Sequence, residues 1–289
     1  MDNFSRLVDG KGRFMAAEAE FAEAEAVLLG APMDYTVSFR PGSRFGPSAI
    51  RDVSEGLEEY SIYQDKDLND IDFMDAGDLI LPFGNVQKAL DKIGEAMNTL
   101  FQAGKKPILL GGEHLVSLPA IRAAYQRYPD LRVIHLDAHT DLRPDYIGET
   151  LSHATVMRHV TELLGDKRLI QLGIRSGTKE DFLYASVHNI LFRDNVLEPL
   201  KKFLQELKPY PVYFSLDIDV VDPAFAPGTG TPESGGCDSR EIIESVGLLR
   251  ELNVVGFDLV EVAPVYDASG CTALLAAKLV REALLAICR

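Results

Sequence analysis

Short apolar runs, rich in leucine and β-branched residues, alternate with longer amphipathic stretches along this 289-residue chain. Apolar residues recur at helical spacing in two of the amphipathic stretches, from Val86 to Phe101 and from Thr272 to Ile287, and a further helix is predicted to start at Pro47. Strands that are apolar throughout and alternate with helices are typical of a parallel sheet covered on both faces. The spacing fits a closed barrel or an open three-layer sheet equally well. The predicted strands are Ala26–Leu29, Asp72–Met74, Pro107–Leu110, Leu131–Asp137, Arg168–Gly173, Asn189–Phe192, Pro211–Asp219 and Val254–Val262.

The chain is long enough to bury a large core, and no linker rich in glycine, serine or proline divides it. We therefore expect residues 1–289 to form a single domain. The N-terminus lacks the pattern of a signal peptide, and no apolar run has the length of a membrane span. The three cysteines (Cys237, Cys271 and Cys288) lack metal-ligand spacing. These features predict a cytoplasmic protein with reduced thiols.

The chain has a formal net charge of −15 at pH 7. Nucleic acids and anionic membranes bind basic surfaces, so this charge argues against both as partners. It would instead raise the encounter rate of a small cationic substrate.

Acidic residues are concentrated where two predicted strands end. Asp137, His139 and Asp141 follow one strand, while Asp217 and Asp219 end another. The carboxyl ends of parallel strands form the ligand site of such sheets, and carboxylates this dense are costly to bury unless cations offset their charge. Carboxylates mixed with imidazoles indicate divalent metals, and these ligands outnumber what one tetrahedral ion needs. The pattern therefore predicts a two-metal site and, with it, a metallohydrolase.

A third strand end supplies His114, which follows Gly111 and Gly112. We expect the glycines to let the backbone turn tightly there. Other polar residues near these strands have plainer interpretations. Structural or supporting roles are predicted for Glu113, His135 and Asp222, surface positions for His159 and His188, and a small buried position for Cys271.

Motifs covering most of the chain occur in the order found in one enzyme family. They are RPGSRFGPSAIR (40–51), GGEH (111–114), DAHTD (137–141), SLDIDVVDP (215–223), GTGTP (228–232) and DLVEVAPVYD (258–267). From about Gly30 to Ala286 the chain resembles the ureohydrolases, the arginase and agmatinase family of binuclear manganese enzymes, and above all their bacterial agmatinase branch. The resemblance implies an open three-layer α/β/α fold with a mostly parallel eight-stranded sheet, and assembly into a homotrimer or homohexamer.

The resemblance also implies which residues hold two Mn²⁺ ions. One ion would be held by His114, Asp137, Asp141 and Asp217, and the other by Asp137, His139, Asp217 and Asp219. Asp137 and Asp217 would bridge the ions, and Asp141 would count among the catalytic residues. A hydroxide bridging the metals would attack the guanidinium carbon, and the resulting intermediate would collapse to urea and an amine.

Three further residues match functional positions of the family. His153 matches its proton-shuttling histidine, although Ala154 stands where glycine is expected. Glu261 matches the glutamate that holds the substrate guanidinium, and Thr231 would accept a further bond from it. A carboxylate suits this role because it accepts two parallel N–H bonds.

The predicted substrate is agmatine, which would yield putrescine and urea in polyamine synthesis. The loop from Leu142 to Ser152 carries Asp145 and Glu149 against one basic residue, Arg143, and an acidic loop favours an ammonium over a carboxylate. Within the family, the alternatives are a guanidinobutyrase and an arginase-type ureohydrolase. Outside it, they are a catalytically silent relative and a single-zinc deacetylase.

Overall fold

The computed structural model describes residues 4–9 and 12–288, and its centre is an 8-stranded sheet in which neighbouring strands run parallel. The strands lie in the order β2-β1-β3-β8-β7-β4-β5-β6, so the sheet is open and not a barrel. The predicted sheet is confirmed. The strands are β1 (Ala26–Ala31), β2 (Phe73–Asp78), β3 (Lys106–Gly111), β4 (Arg132–Leu136), β5 (Leu169–Ile174), β6 (Ile190–Arg193), β7 (Pro211–Asp217) and β8 (Asn253–Val260).

Helices cover both faces of the sheet. Because successive side chains of a strand point to opposite faces, each apolar strand contributes to two hydrophobic cores. The helices α1, α6, α7 and α8 enclose one core, and α2, α3, α4 and α5 enclose the other. They are α1 (Gly46–Ser54), α2 (Val86–Gln102), α3 (Ser117–Arg127), α4 (Val156–Leu164), α5 (Lys179–His188), α6 (Leu197–Leu207), α7 (Ser239–Gly247) and α8 (Cys271–Ile287).

Local sequence explains where these helices begin. The side chain of Asn85 accepts a hydrogen bond from the Lys88 N–H at 3.0 Å and so caps α2. Proline at the start of α1 lacks an N–H where none is needed. The prediction that Cys271 is buried was wrong, because it begins α8 and its side chain is exposed. None of the helices in residues 4–9 and 12–288 combines the length and hydropathy needed to cross a membrane.

The order of the four central strands positions the candidate site. The strands β8 and β7, late in the sequence, lie between β3 and β4, which follow each other along the chain. The residues that follow β3 and β4 therefore come next to those that end β7 and β8. If the strands lay in the sheet in the order of the sequence, the ends of β7 and β8 would lie away from those of β3 and β4.

Candidate metal centre and active site

Side chains from four adjacent strand ends meet beside a cavity of about 210 Å³. His114 follows β3, Asp137 follows β4, Asp217 ends β7 and Glu261 follows β8. His114, Asp137 and Asp217 are nearly inaccessible to solvent, while the cavity provides the route to them. The predicted ligands are thus brought together from positions far apart in sequence.

Three carboxylates surround the Nδ1 atom of His114. Nδ1 lies 3.1 Å from Asp137 Oδ2, 3.3 Å from Asp141 Oδ2 and 3.2 Å from Asp217 Oδ2. It nevertheless makes no hydrogen bond, although it is fully buried. Burying a polar atom without a partner is costly, and ring nitrogen and carboxylate oxygens that converge in this way are typical of metal ligands. These residues therefore fit one metal ion.

A second group forms around His139. Its Nδ1 atom lies 3.0 Å from Asp219 Oδ2 and 3.4 Å from Asp137 Oδ1. Asp137 thus turns one oxygen toward His114 and the other toward His139, so both groups share this carboxylate. Asp219 is held by its own neighbours, because Oδ1 accepts a hydrogen bond from the Ala138 N–H at 3.0 Å. The arrangement fits two adjacent metal ions.

The charges of this cluster do not balance within the protein. Burial, followed by the charges of Asp219 and Asp137, raises the pKa of Asp217 well above its ordinary value. Burial and Asp137 likewise raise the pKa of Asp141. Burial alone would lower the pKa of His114, but Asp137 and Asp217 raise it well above the usual range. Each shift has the direction expected where carboxylates lack a sufficient countercharge, which divalent cations would supply.

A buried relay supports His114, and nothing in the sequence pattern indicated it. The Nε2 atom of His114 lies 3.0 Å from Ser215 Oγ, and Ser215 in turn donates to Asp258 Oδ1 at 2.7 Å. Since the hydroxyl proton goes to the carboxylate, Oγ accepts the Nε2 proton. This would leave the Nδ1 lone pair available to a metal ion held among the acids. Ser215 and Asp258 occupy facing positions of β7 and β8, so their contact could be predicted only once the strand order was known.

Glu261 is buried beside the cluster and lines the cavity. Its Oε1 atom accepts a hydrogen bond from the His114 N–H at 2.8 Å. Burial, followed by the charges of Asp217 and Glu113, raises its pKa well above the ordinary value. A cationic group near Glu261 would therefore be stabilised electrostatically.

His153 also faces the cavity, on the side of the loop that contains Thr36 and Ser38. Its backbone N–H donates to Thr36 Oγ1 at 3.0 Å, and its Nε2 atom lies 3.4 Å from Ser38 Oγ. Burial lowers its pKa to about 4, and repulsion from His139 and His114 adds to the effect. The imidazole is therefore neutral near pH 7.

Thr231 lines the cavity, and its hydroxyl donates to Asp219 Oδ2 at 3.4 Å. The predicted loop acids are elsewhere. Asp145 does not line this cavity and accepts a hydrogen bond from the Gly148 N–H at 3.0 Å, whereas Glu149 lines a neighbouring depression. Arg143 lines the cavity, so the loop contributes a cation there and not the expected anions.

The two glycines before His114 serve a different purpose from the predicted tight turn. Neither has a positive φ angle. A Cβ atom on Gly112 would lie 1.8 Å from the Met33 carbonyl oxygen, and one on Gly111 would lie 2.4 Å from Val260 Cγ1. Close packing therefore excludes side chains at these positions.

None of the three predicted supporting residues lines the cavity, and one of them, His135, contacts the ligand cluster directly. His135 Nε2 lies 2.8 Å from Asp137 Oδ2, and Glu113 accepts hydrogen bonds from the Tyr35 and Thr36 N–H groups. Asp222 accepts from the Ala224 N–H in a turn. His159 and His188 bond to Thr150 O and Asp166, outside the cluster.

Comparison with known proteins agrees with the site. The sequence profile of the Arginase family matches residues 24–286. The chain belongs to the arginase family. An agmatinase of Bacillus subtilis (strain 168) is 55% identical to this arginase-family chain over 285 residues, which is 98% of each protein. Proclavaminate amidinohydrolase of Streptomyces clavuligerus is 38% identical over 272 residues, 90% of this chain and 87% of that one.

Solved structures share the fold. The crystal structure of a putative agmatinase from Clostridium difficile superposes with a TM-score of 0.91 at 39% identity, covering 93% of this chain and 99% of that chain. This arginase-family protein is accordingly a hydrolase of the class that acts on guanidino groups. Its family depends on a binuclear metal centre, and the described residues contain a cluster of histidine and aspartate ligands.

Proposed function

We propose that this protein is a manganese-dependent agmatinase, which hydrolyses agmatine to putrescine and urea and so serves polyamine synthesis. The observation that carries the proposal is that the two oxygens of Asp137 face two different histidines, His114 and His139. The chain is also 55% identical to an agmatinase over 98% of both proteins. A single-zinc deacetylase would leave the second histidine group without a purpose. A silent relative would be expected to have lost some of these ligands.

Six residues would hold two Mn²⁺ ions, since oxygen ligands with two imidazoles suit this ion. Asp137 and Asp217 would contact both ions. When bound, the ions supply activation of the attacking water near neutral pH, which the poorly electrophilic guanidinium requires. The proposed ligands are His114, Asp137, His139, Asp141, Asp217 and Asp219, and Asp141 also stays a proposed catalytic residue.

Glu261 and Thr231 would orient the guanidinium. The Glu261 Oε1 atom already accepts from the His114 N–H, which fixes the carboxylate plane and leaves Oε2 for a substrate N–H. The Thr231 hydroxyl donates its proton to Asp219, so its lone pairs are free to accept from the substrate. Both groups favour a planar cation.

His153 would carry the proton that the leaving amine needs. Because its pKa is lowered to about 4, its ring is neutral near pH 7 and can take up a proton during turnover and release it to the amine. The hydrogen bond from its N–H to Thr36 Oγ1 fixes the start of this segment beside the cavity. A positioned acid–base group is thereby available without a charge in the resting state.

The far end of the substrate distinguishes agmatine from its competitors. Asp181 lines the cavity and is buried, which favours a terminal ammonium. Arg143 also lines it and favours a carboxylate, so 4-guanidinobutyrate is a second candidate substrate. The Arg143 guanidinium lies 5.1 Å from the centre of the Tyr146 ring, which holds part of its charge against an aromatic face.

The test compares kcat/KM for agmatine, arginine and 4-guanidinobutyrate, at identical Mn²⁺ loading, in the wild type and in Arg143→Gln. We expect agmatine to be preferred by roughly a thousandfold, because its ammonium matches the buried Asp181, whereas a substrate carboxylate there would make a like-charge contact that costs several kcal/mol. Arg143→Gln should leave agmatine turnover nearly intact and lower any turnover of 4-guanidinobutyrate. If a carboxylate-bearing substrate equals agmatine in the wild type, agmatine is not the substrate, although family membership stands.

A further inference from the structure

A chain of buried polar side chains runs from α4 to the metal cluster behind Asp137. The Thr161 hydroxyl lies 3.0 Å from Asn189 Oδ1, and the Asn189 amide donates to Gln171 Oε1 at 3.0 Å. Gln171 Nε2 lies 3.1 Å from His135 Nδ1, and His135 Nε2 lies 2.8 Å from Asp137 Oδ2. All five side chains are at most 3% exposed. Their hydrogen bonds must therefore be satisfied within the protein.

The Thr140 carbonyl oxygen determines the direction of the hydrogen bonds in this series of side chains. Gln171 also bonds to the Thr140 carbonyl oxygen at 2.8 Å, and a carbonyl can only accept. The atom facing Thr140 is therefore the amide nitrogen, and this contact fixes which way the amide group is turned. An amide nitrogen cannot accept a hydrogen bond, so His135 Nδ1 must accept one and carries no proton.

We propose that Gln171 is a positioning residue that keeps the proton of His135 on Nε2, so that His135 donates to Asp137 and does not bind metal. The inference rests on the proposed two-metal site. By distance alone, His135 could be a further ligand of the metal ion proposed to lie among His114, Asp137 and Asp141. The direction of the hydrogen bonds removes it from the ligand set.

The consequence concerns the carboxylate common to both metal groups. Asp137 Oδ2 receives the His135 proton, while Oδ1 faces His139 at 3.4 Å. Gln171 also holds the Thr140 carbonyl, and hence the turn between His139 and Asp141. A single amide on β5 thus fixes both the shared acid and the turn that follows it. None of the proposed metal ligands lies on β5, so this strand would support the metal site only through Gln171.

The first measurement is made on the wild-type protein, and a variant serves only to assign the signal. Side-chain ¹⁵N NMR of histidines, on the full chain loaded with diamagnetic Zn²⁺, distinguishes protonated from bare ring nitrogens, and loss of one signal in His135→Asn assigns it. We expect His135 to be protonated on Nε2 and bare on Nδ1. A proton on Nδ1, or an Nε2 atom with the shift of a metal ligand, overturns the proposal.

Two variants test the dependence on Gln171. Gln171→Glu keeps the shape but can only accept, so it should draw the proton to Nδ1. Gln171→Met removes the donor without adding charge and should leave the proton unfixed. Loss of such an outer partner typically weakens metal binding by about 10–100-fold, measured here as free Mn²⁺ by electron paramagnetic resonance. Gln205→Glu on the exposed face of α6 adds the same charge and should change neither the position of the His135 proton nor the Mn²⁺ affinity.

A merely structural role for Gln171 would lower the melting temperature of both variants without moving the His135 proton. Retention of the wild-type proton position in Gln171→Glu would therefore refute the proposal, as would unchanged Mn²⁺ affinity in both variants. Failure of the proposed function gives a different result. A wild-type chain that binds no Mn²⁺, yet carries the His135 proton on Nε2, would contradict the manganese assignment and leave the role of Gln171 intact.

Discussion

Two residues of the candidate site adopt a backbone conformation that L-amino acids avoid. Asp141 has φ 52° and Glu261 has φ 64°, both in the left-handed region. Each such residue costs roughly 1–3 kcal/mol, and the rest of the fold must hold it in place. Asp141 turns its carboxylate toward His114 from the turn after β4, and Glu261 does so from the end of β8. At these two positions the unusual backbone conformation directs a carboxylate toward His114.

Replacement of Asp217 by asparagine tests the two-metal assignment. The amide would keep the shape of the side chain but lose the charge proposed to hold both ions. We expect activity to fall below detection and the manganese content, measured by elemental analysis, to fall below two ions per chain. Asp52→Asn on the exposed side of α1 removes the same charge and should retain both. A fully active Asp217→Asn variant with two bound ions would refute the assignment.

Replacement of His153 by alanine tests its role in proton transfer. Loss of a positioned acid–base group lowers turnover by about 10²–10⁴-fold. We expect such a fall in kcat with unchanged manganese content, because His153 contacts Thr36 and Ser38 and none of the proposed ligands. His159→Ala on α4, outside the cavity, is the matched control. Should His153→Ala lose metal instead, His153 would have to be a ligand or a structural group.

At the scale of elements, the strand ends bring the site together by approaching one another very closely. The segment after β1 and the segment after β3 are in contact, with the Glu113 N–H donating to the Met33 carbonyl at 2.7 Å. The Glu261 N–H donates to the Gly112 carbonyl at 2.9 Å, which joins the ends of β3 and β8. These backbone bonds leave no room for a side chain at position 112. The position of His114 therefore depends on a glycine two residues before it.

Gly112→Ala should disrupt this approach. Its Cβ atom would lie 1.8 Å from the Met33 carbonyl oxygen, and that backbone is held by the neighbouring strands. Overpacking of this kind typically costs about 1–3 kcal/mol and occasionally more. We expect a lower melting temperature together with weaker manganese binding. Gly247→Ala in α7 meets nothing within 4 Å and should be neutral or stabilising. Equal melting temperatures for the two variants would contradict this explanation.

At the scale of the whole molecule, the strands β1 to β8 form one sheet, and helices on each face cover a continuous core. We propose on this basis that residues 1–289 form a single domain. The homotrimer or homohexamer stays a prediction, which light scattering would test. Because the metal cluster is assembled only in the folded chain, metal binding and folding should be thermodynamically coupled.

Calorimetry with and without a chelator tests the single domain and the coupling of metal binding to folding. Ligand at 100 times its Kd stabilises a native protein by about 2.7 kcal/mol, which corresponds to roughly 5–10 °C in a chain of this size. We expect one cooperative transition with or without the chelator. Its melting temperature should fall by such an amount after chelation and return when Mn²⁺ is added. Asp217→Asn should show little shift on chelation. Two separate transitions in the wild type would contradict the single domain.

Local sequence patterns were enough to predict most of the elements and the candidate ligands. Continuous apolar runs and helical spacing depend only on neighbours along the chain, so they predicted strands such as β4 and helices such as α2 within a few residues. The chemistry of Asp137, His139 and Asp141 could be predicted in the same way, because carboxylates this close together at the end of a buried strand are costly to bury without cations.

Which strands are adjacent could not be predicted from these patterns, since strand pairing depends on packing between residues far apart along the chain. This long-range packing sets the strand order. It therefore decided the relay through Ser215 and Asp258, the exclusion of side chains at Gly112, and the proton position on His135. It also decided that Arg143, and not Asp145, faces the cavity, because a loop's conformation follows from its contacts and not from its composition. The sequence thus specified the chemical groups, and their three-dimensional packing specified which groups meet.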